Sequence, residues 1–212
     1  LLFAMDSDAD YYLVADSDKK IYLIDRNSTG FKSVPLSTVE KTRSSAELKF
    51  SQVEGDKISD DPDIFDEAWN AGLVGLAADN LGAAQCALDQ AVNYANQREQ
   101  FNRVIASFQA VKHMCAEMAA QLEPCRAMVW YAAHAFSEIP EESTMMASHT
   151  KAHLSEVGQF VTRTATEVHG GMGFTDLVGL HYWFKRCGFN RQALGSPELL
   201  RDRAAIAQDL VN

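Results

Sequence analysis

The chain has 212 residues, 47% of them hydrophobic and 23% charged, as is typical of a globular protein with a sizeable core. Nineteen basic and twenty-nine acidic residues give a net charge of −10, which repels a phosphate backbone and argues against nucleic acid as a partner. No apolar stretch is long enough to span a bilayer. The four cysteines lack zinc-like spacing, so we expect reduced thiols and a cytoplasmic protein.

The first 58 residues predict β-structure. Four short runs rich in β-forming residues, separated by turn-like segments, are typical of an antiparallel meander: 10–14, 20–24, 31–36 and 46–53. Four strands make only part of a sheet, and its edges need partners. Because the chain also opens at Leu1 without an initiator Met or a signal peptide, we expect upstream residues to precede it.

From Asp61 onward, apolar residues recur at helical spacing. The pattern predicts three long helices, two shorter ones and, because short breaks join them, an antiparallel bundle. The fold class is therefore mainly α, with a partial antiparallel β domain in front of a four-helix bundle. The predicted helices run from near Pro62 to Asn96, from near Ser107 to Ser137, from Pro140 to Gly170, from Leu177 to Arg186 and from Pro197 to Leu210.

The sequence does not predict a metal site. His149 and His153 lie four residues apart on one predicted helical face, but no nearby carboxylate or cysteine completes a ligand set. Signatures of hydrolases and nucleotide-binding loops are also missing.

Two motifs carry the most information. Residues 94–113 read YANQREQFNRVIASFQAVKH and residues 167–174 read EVHGGMGF. Taken alone, the first predicts a helix–loop–helix elbow and the second a glycine-rich turn. Together they resemble the acyl-CoA dehydrogenase family, whose members usually carry YAxxRxQFGxxIxxFQAVxH followed by QxHGGxGF.

The resemblance covers essentially the whole chain. It implies that residues 1–58 are the latter part of the family's middle β domain and that residues 59–212 are its C-terminal helical bundle domain, with the N-terminal helical domain absent. It further implies FAD as cofactor and an acyl-CoA thioester, such as a steroid side-chain CoA, as substrate. The implied partners are a homologous subunit, in a hetero- or homotetramer, and the electron-transfer flavoprotein.

The resemblance also assigns cofactor residues. Arg98, Phe101 and Gln109 match positions that usually contact the FAD of a neighbouring subunit. A guanidinium can bind a pyrophosphate with two hydrogen bonds, an aromatic ring can pack on the cofactor, and an amide can bind its polar edge. The remaining cofactor candidates are Glu167, Gly170, Gly171, Gly173 and Ser196.

Within this set, the three glycines of the second motif would let the backbone approach the adenosine half of FAD. Two residues depart from the family pattern. Asn102 replaces the usual Gly, and Glu167 replaces the usual Gln. A carboxylate at position 167 would repel the flavin phosphates.

The family's catalytic base is missing. Leu194 stands where many members have a Glu, and Gly195 and Ser196 preserve the small and hydroxyl residues that follow it. Gly72 stands at the family's second base position. Neither Leu nor Gly can abstract a proton. Asp79, seven residues after Gly72 and on a similar helical face, is the one candidate base.

Three hypotheses remain open. The chain is the subunit without the base in a hetero-oligomeric dehydrogenase, as in family members with two unlike subunits, or a homomeric dehydrogenase that uses Asp79, or a non-catalytic scaffold with the same fold. The missing Glu favours the first. A flavin spectrum separates the third from the other two, and co-purification of a second homologous chain separates the first from the second.

Overall fold

The computed structural model describes residues 2–211, and the chain divides into two compact units at Trp69 and Asn70. The first unit contains the strands that precede the first long helix and the first two turns of that helix. The second contains the rest of that helix and all the elements that follow.

Six strands in the first unit form two antiparallel sheets, so the predicted single meander is wrong. The strands are β1 (Leu2–Ala4), β2 (Tyr11–Ala15), β3 (Ile21–Asp25), β4 (Phe31–Pro35), β5 (Ala46–Phe50) and β6 (Asp56–Ser59). One sheet has the order β1–β5–β4 and the other β2–β3–β6. Strand β3 pairs with β6, which the sequence did not predict, so its free edge is not available to β4. The short, partly polar strand β6 carries little of the alternation that identifies a strand.

The two sheets share one small core. Its buried residues come from strands of both sheets, and the rings of Tyr12 and Phe31 lie 5.2 Å apart. The Tyr12 hydroxyl also donates to Ser33 Oγ at 3.3 Å. The buried members of this core are Tyr12, Ile24, Phe31, Ala46 and Leu48.

The predicted helical bundle is confirmed. Its helices are α1 (Pro62–Gln97), α2 (Gln109–Glu138), α3 (Pro140–His169), α4 (Leu180–Gln192) and α5 (Pro197–Ile206). The three long helices begin and end close to the predicted residues. Helix α4 begins after Gly179, whose φ is +68°, and continues past the predicted end at Arg186, whereas α5 ends four residues before the predicted Leu210. Within residues 2–211, no helix is both long and apolar enough to cross a membrane.

Helix α3 lies at the centre of the bundle and packs against α2, α4 and α5. Helix α1 contributes a stripe of alanines to the core. The larger core side chains come mainly from α2 and α3. The core includes Ala84, Ala87, Ala91, Ala95, Met118, Leu122, Val129, Leu154, Val157 and Val161.

Candidate functional site

The elbow of the first motif is a tight hairpin between α1 and α2. Strands β7 (Glu99–Gln100) and β8 (Arg103–Val104) pair across Phe101 and Asn102, whose φ angles are +53° and +59°. Two consecutive positive φ angles define a type I′ turn, which favours Asn and Gly. Asn102 therefore meets the same backbone demand as the usual glycine of the family motif.

The side chains predicted to bind the cofactor point outward from this elbow. Phe101 is 86% exposed, and Arg98 and Gln109 are also exposed. The nearest aromatic ring is that of Phe108, whose centroid lies 6.1 Å from the Phe101 ring. The left-handed conformation costs a non-glycine residue about 1–2 kcal/mol. An exposed aromatic side chain held in that conformation is typical of a binding surface.

A ring stack joins the two motifs. Tyr94, near the end of α1, stacks on His169, the last residue of α3, with ring centroids 4.4 Å apart. His169 is buried, and its Nδ1 lies 2.8 Å from the carbonyl oxygen of Ala165. The motif histidine is thus a packing residue that brings the elbow and the glycine turn to the same end of the bundle.

The glycines of the second motif differ in role. Gly170 has φ +60° and ψ −140°, a conformation that is essentially restricted to glycine. A Cβ on Gly170 or Gly171 would meet no atom within 4 Å, so their backbone is open to a ligand. A Cβ on Gly173 would instead lie 3.0 Å from the Thr166 carbonyl oxygen. Internal packing therefore requires a glycine at position 173.

An apolar cleft of about 240 Å³ opens beside this turn. Glu167 lines it, and its carboxylate lies 3.5 Å from the Arg163 guanidinium. The Arg163 charge therefore offsets part of the repulsion that Glu167 would exert on a phosphate. The lining residues are Arg163, Thr166, Glu167, Gly170, Gly173, Phe174, His181 and Phe184.

The structure brings Gly72 and Leu194 together, the two residues that the family resemblance places at the base positions. A Cβ built on Gly72 would lie 2.5 Å from Leu194 Cδ1, so the Leu194 side chain occupies the space that a side chain at position 72 would need. Leu194 lies in the turn between α4 and α5, with φ +56°, and Gly195 follows with φ +119°. The residues at both positions are apolar.

Ser196, the last predicted cofactor residue, is the N-cap of α5. Its Oγ accepts a hydrogen bond from the Leu199 amide at 3.4 Å. Hydrogen bonds from Ser196, from its own amide and from Arg191 lower the pKa of Glu198 to about 2. Glu198, a carboxylate close to Leu194 in sequence that the motifs did not single out, is therefore a weak proton acceptor.

Asp79 belongs to a polar network between α1 and α4. Its carboxylate accepts hydrogen bonds from Arg186 Nε at 2.9 Å and Nη2 at 2.8 Å, a bidentate ion pair. Asn190 Nδ2 donates to the same carboxylate at 2.5 Å and also to Asn80 Oδ1 at 3.0 Å. Sequence spacing alone could not indicate these partners, because they lie on a distant helix.

Among the described residues, no cluster of three or more His, Cys, Asp or Glu side chains could hold a metal ion. One buried residue near Leu194 was missed by the sequence analysis. Lys151, in the middle of α3, is fully buried. Lys151 lies three residues before Leu154 and four after Ala147, and both of these residues are in the buried face of α3. This helical spacing is the sequence signal that indicates burial at position 151.

Comparison with known proteins identifies the family. The model of the acyl-CoA dehydrogenase C-terminal domain matches residues 63–208. The chain belongs to the acyl-CoA dehydrogenase family. The match covers α1, which carries Gly72 and Asp79, and also the elbow, the glycine turn and the α4–α5 turn, which carry the other predicted site residues.

Individual family members are similar to the chain over part of their length. It is 39% identical to 3-sulfinopropanoyl-CoA desulfinase of Paraburkholderia xenovorans, over 65% of this chain and 35% of the relative. It is 34% identical to acyl-CoA dehydrogenase IpdE2 of Mycobacterium tuberculosis, over 82% of this chain and 51% of the relative. The chain thus spans about a third to a half of these relatives.

One solved structure shows the same fold. The Tcur3481–Tcur3483 steroid ACAD, an acyl-CoA dehydrogenase complex, matches 94% of this chain and 54% of its own, with a TM-score of 0.84 and 24% identity.

Proposed function

We propose that this chain is part of an FAD-dependent acyl-CoA dehydrogenase subunit that binds flavin at a subunit interface and supplies no catalytic base of its own. The reaction is α,β-dehydrogenation of an acyl-CoA thioester. The observation that carries the proposal is the meeting of Gly72 and Leu194. Both family base positions fall at one place, and neither residue can take a proton.

The elbow supports flavin binding. Arg98 offers five N–H donors in a planar fork that suits a pyrophosphate, Phe101 offers an exposed ring, and Gln109 offers an amide. The open backbone of Gly170 and Gly171 suits the close approach of a nucleotide. These residues fit FAD, which when bound supplies the acceptor for the hydride that leaves the β-carbon.

Asp79 is a poor alternative base. Its carboxylate oxygens already accept hydrogen bonds from Arg186 and Asn190, so they are engaged within the fold. It is also two helical turns from Gly72, about 10 Å along the axis of α1. We therefore assign Asp79 a structural role, in which it ties α1 to α4.

A homologous partner chain would supply the missing proton acceptor. The hetero-oligomeric Tcur3481–Tcur3483 steroid ACAD, which shares this fold, supports an assembly of two unlike subunits and a steroid side-chain CoA as substrate. By the family resemblance, electron-transfer flavoprotein accepts the electrons. The four cysteines, all free, fit a reducing cytoplasm.

The desulfinase relative favours a second candidate reaction on the same acyl-CoA frame. In such a reaction the C–S bond at the β-carbon breaks, the carbon keeps the bonding electrons and takes a proton, and the released SO₂ adds water to become sulfite. No proton is removed from the α-carbon, so a base at that position is not required. Release of sulfite from 3-sulfinopropanoyl-CoA, without flavin reduction, would favour this second candidate.

The test uses the full-length protein purified with its native partners. We would measure FAD per chain and single-turnover flavin reduction by a short-chain acyl-CoA and by a steroid side-chain acyl-CoA. The double variant Asp79→Asn, Arg186→Gln removes both charges of the pair and keeps two polar side chains of similar size. We expect flavin reduction within about threefold of the wild type, because the carboxylate takes no proton.

Two outcomes contradict the proposal. A loss of a hundredfold or more with FAD still bound makes Asp79 the base and the enzyme homomeric, since general-base catalysis contributes about 10²–10⁴-fold. A wild-type assembly without FAD makes the chain a scaffold.

The variant Arg98→Ala, with Arg126→Ala as the exposed control, tests the elbow. Loss of a charged hydrogen bond of about 1.5–3 kcal/mol should lower FAD affinity roughly 10- to 150-fold.

A further inference from the structure

Lys151 is a fully buried lysine beside the turn that carries Leu194. Its Nζ donates a hydrogen bond to the carbonyl oxygen of Arg191 at 3.0 Å and another to the carbonyl oxygen of Gly195. Lysine is among the residues that are rarely buried completely unless their charge is satisfied. The position of this side chain therefore requires a specific reason.

The end of α4 provides that reason. The last carbonyls of a helix have no partner within the helix, and they carry the negative end of the helix dipole. Arg191 is the penultimate residue of α4, and Gly195 lies three residues beyond the end of the helix. Lys151 thus satisfies one carbonyl of the helix terminus and one carbonyl of the turn, and it connects both to α3.

The turn needs such an anchor. Leu194 and Gly195 both have positive φ angles, of +56° and +119°, and positive φ costs a leucine conformational energy. A strained segment persists only where its surroundings hold it in place. The backbone N–H of Gly195 bonds to Gln192 within the same turn, and its carbonyl oxygen accepts the hydrogen bond from Lys151, which lies on a different helix, α3.

We infer that Lys151 is a positioning residue that fixes the turn 193–196 and thereby sets where the side chain of residue 194 lies against Gly72. Residue 194 in turn closes one wall of the acyl-CoA site. This last part of the inference rests on the proposed function. Lys151 itself is fully buried and acts on the turn through its two backbone contacts. Burial, together with the nearby Arg191 charge, lowers its pKa to about 8.

The experiment compares Lys151→Met with Thr150→Val in the full-length protein. Met retains the volume of Lys but donates no hydrogen bond. Thr150 is the next residue, is equally buried and donates to Met128 in α2, so its variant removes a buried hydrogen bond from α3 without touching the turn. Hydrogen exchange is followed by mass spectrometry in peptides covering residues 192–200 and, as an internal reference, residues 154–165.

We expect Lys151→Met to speed exchange at least tenfold in the 192–200 peptides and to leave the reference peptides unchanged, whereas Thr150→Val leaves the turn protected. Acyl-CoA should bind at least tenfold more weakly to Lys151→Met at unchanged FAD content. Unchanged exchange in the turn, or equal acceleration by both variants, overturns the inference. If Lys151→Met does not fold, Lys151→Gln replaces it. Because Gln keeps one donor group, we expect a smaller increase in the exchange rate of the 192–200 peptides. An unchanged exchange rate in these peptides again overturns the inference.

Acyl-CoA binding separates this inference from the proposed function. A wild-type protein that binds no acyl-CoA contradicts the proposed function, while the exchange data still decide the role of Lys151. Suppose instead that the wild type binds acyl-CoA and that Lys151→Met binds it equally well although its turn is loosened. This result contradicts only the claim that residue 194 closes a wall of the acyl-CoA site.

Discussion

The α1–α2 elbow and the α4–α5 turn both hold a large apolar residue at positive φ, but they use it in opposite ways. Phe101 projects its ring into solvent and is 86% exposed. Leu194 is 39% exposed and lies against Gly72. The elbow exposes the ring that we propose packs on the flavin, and the turn holds an apolar contact at the position where the family resemblance places a base. Under the proposed function, the elbow binds the cofactor, whereas the α4–α5 turn lacks the group that would take a proton.

Placing a carboxylate at the α4–α5 turn should give the largest effect. Leu194→Glu puts an ionisable group on the backbone that now carries the apolar contact, and general-base catalysis typically contributes about 10²–10⁴-fold. We expect single-turnover flavin reduction by acyl-CoA to accelerate by at least a hundredfold in the FAD-loaded full-length chain purified without its partner, which has no base of its own. Leu194→Gln, of the same shape but without a basic group, should give no increase. Equal rates in the two variants, with substrate bound, would mean that residue 194 does not face the α-carbon.

The second-largest effect concerns Asp79. Removing its carboxylate leaves Arg186 partly buried without its counter-ion, which should lower the free energy of unfolding by about 2–3 kcal/mol in Asp79→Ala. The matched control is Glu167→Ala, because the Glu167–Arg163 pair is exposed and such pairs contribute about 0–1 kcal/mol. Urea denaturation measures both. Equal losses in the two variants would remove the structural role assigned to Asp79.

Lys151 gives the turn a pH-dependent stability. Its pKa is about 8 in the folded chain against an ordinary value of 10.5, so the unfolded chain binds the proton more tightly. The free energy of unfolding should therefore rise with pH between about 8 and 10.5, by roughly 3 kcal/mol in total, and stay level below that range.

Buried Cys125 and Cys187, whose pKa values burial raises to about 11 and 12, titrate in the opposite sense over part of this range. The quantity to measure is therefore the difference between the wild type and Lys151→Met at each pH. This difference should shift in favour of the wild type as pH rises from 7 to 10.5. A difference that does not change with pH would contradict a depressed pKa at Lys151.

The smallest expected effect is at the elbow hairpin. Asn102→Ala places a residue without left-handed preference at φ +59° and should cost about 1 kcal/mol of stability. Asn102→Gly, which restores the usual family residue, should change stability by a few tenths of a kcal/mol and leave FAD affinity within twofold. A large loss of FAD in the glycine variant would mean that the Asn102 side chain itself binds the cofactor.

The sequence predicted the helical unit far better than the strands. Long apolar periodicity, with Pro at the start of α1 and α3, located the helices to within a few residues. Strands β1 and β6 are too short to show alternation, and the pairing of β3 with β6 joins distant parts of the chain, such as Leu23 and Asp56. The first motif predicted the elbow between α1 and α2, and the base positions assigned to Gly72 and Leu194 stay a prediction. Partners far apart in the chain, such as Arg186 for Asp79 and the Gly195 carbonyl for Lys151, have no local signal.

The most direct test of the central claim is exchange of the substrate's α-proton by this chain alone. The full-length chain is purified without its partner, loaded with FAD and incubated with acyl-CoA in D₂O, and deuterium at the α-carbon is followed by NMR. We predict bound FAD, bound acyl-CoA and exchange no faster than in buffer, because neither Gly72 nor Leu194 can take the proton. Exchange well above the buffer rate, abolished by Asp79→Asn, would contradict the account and make this chain a complete dehydrogenase.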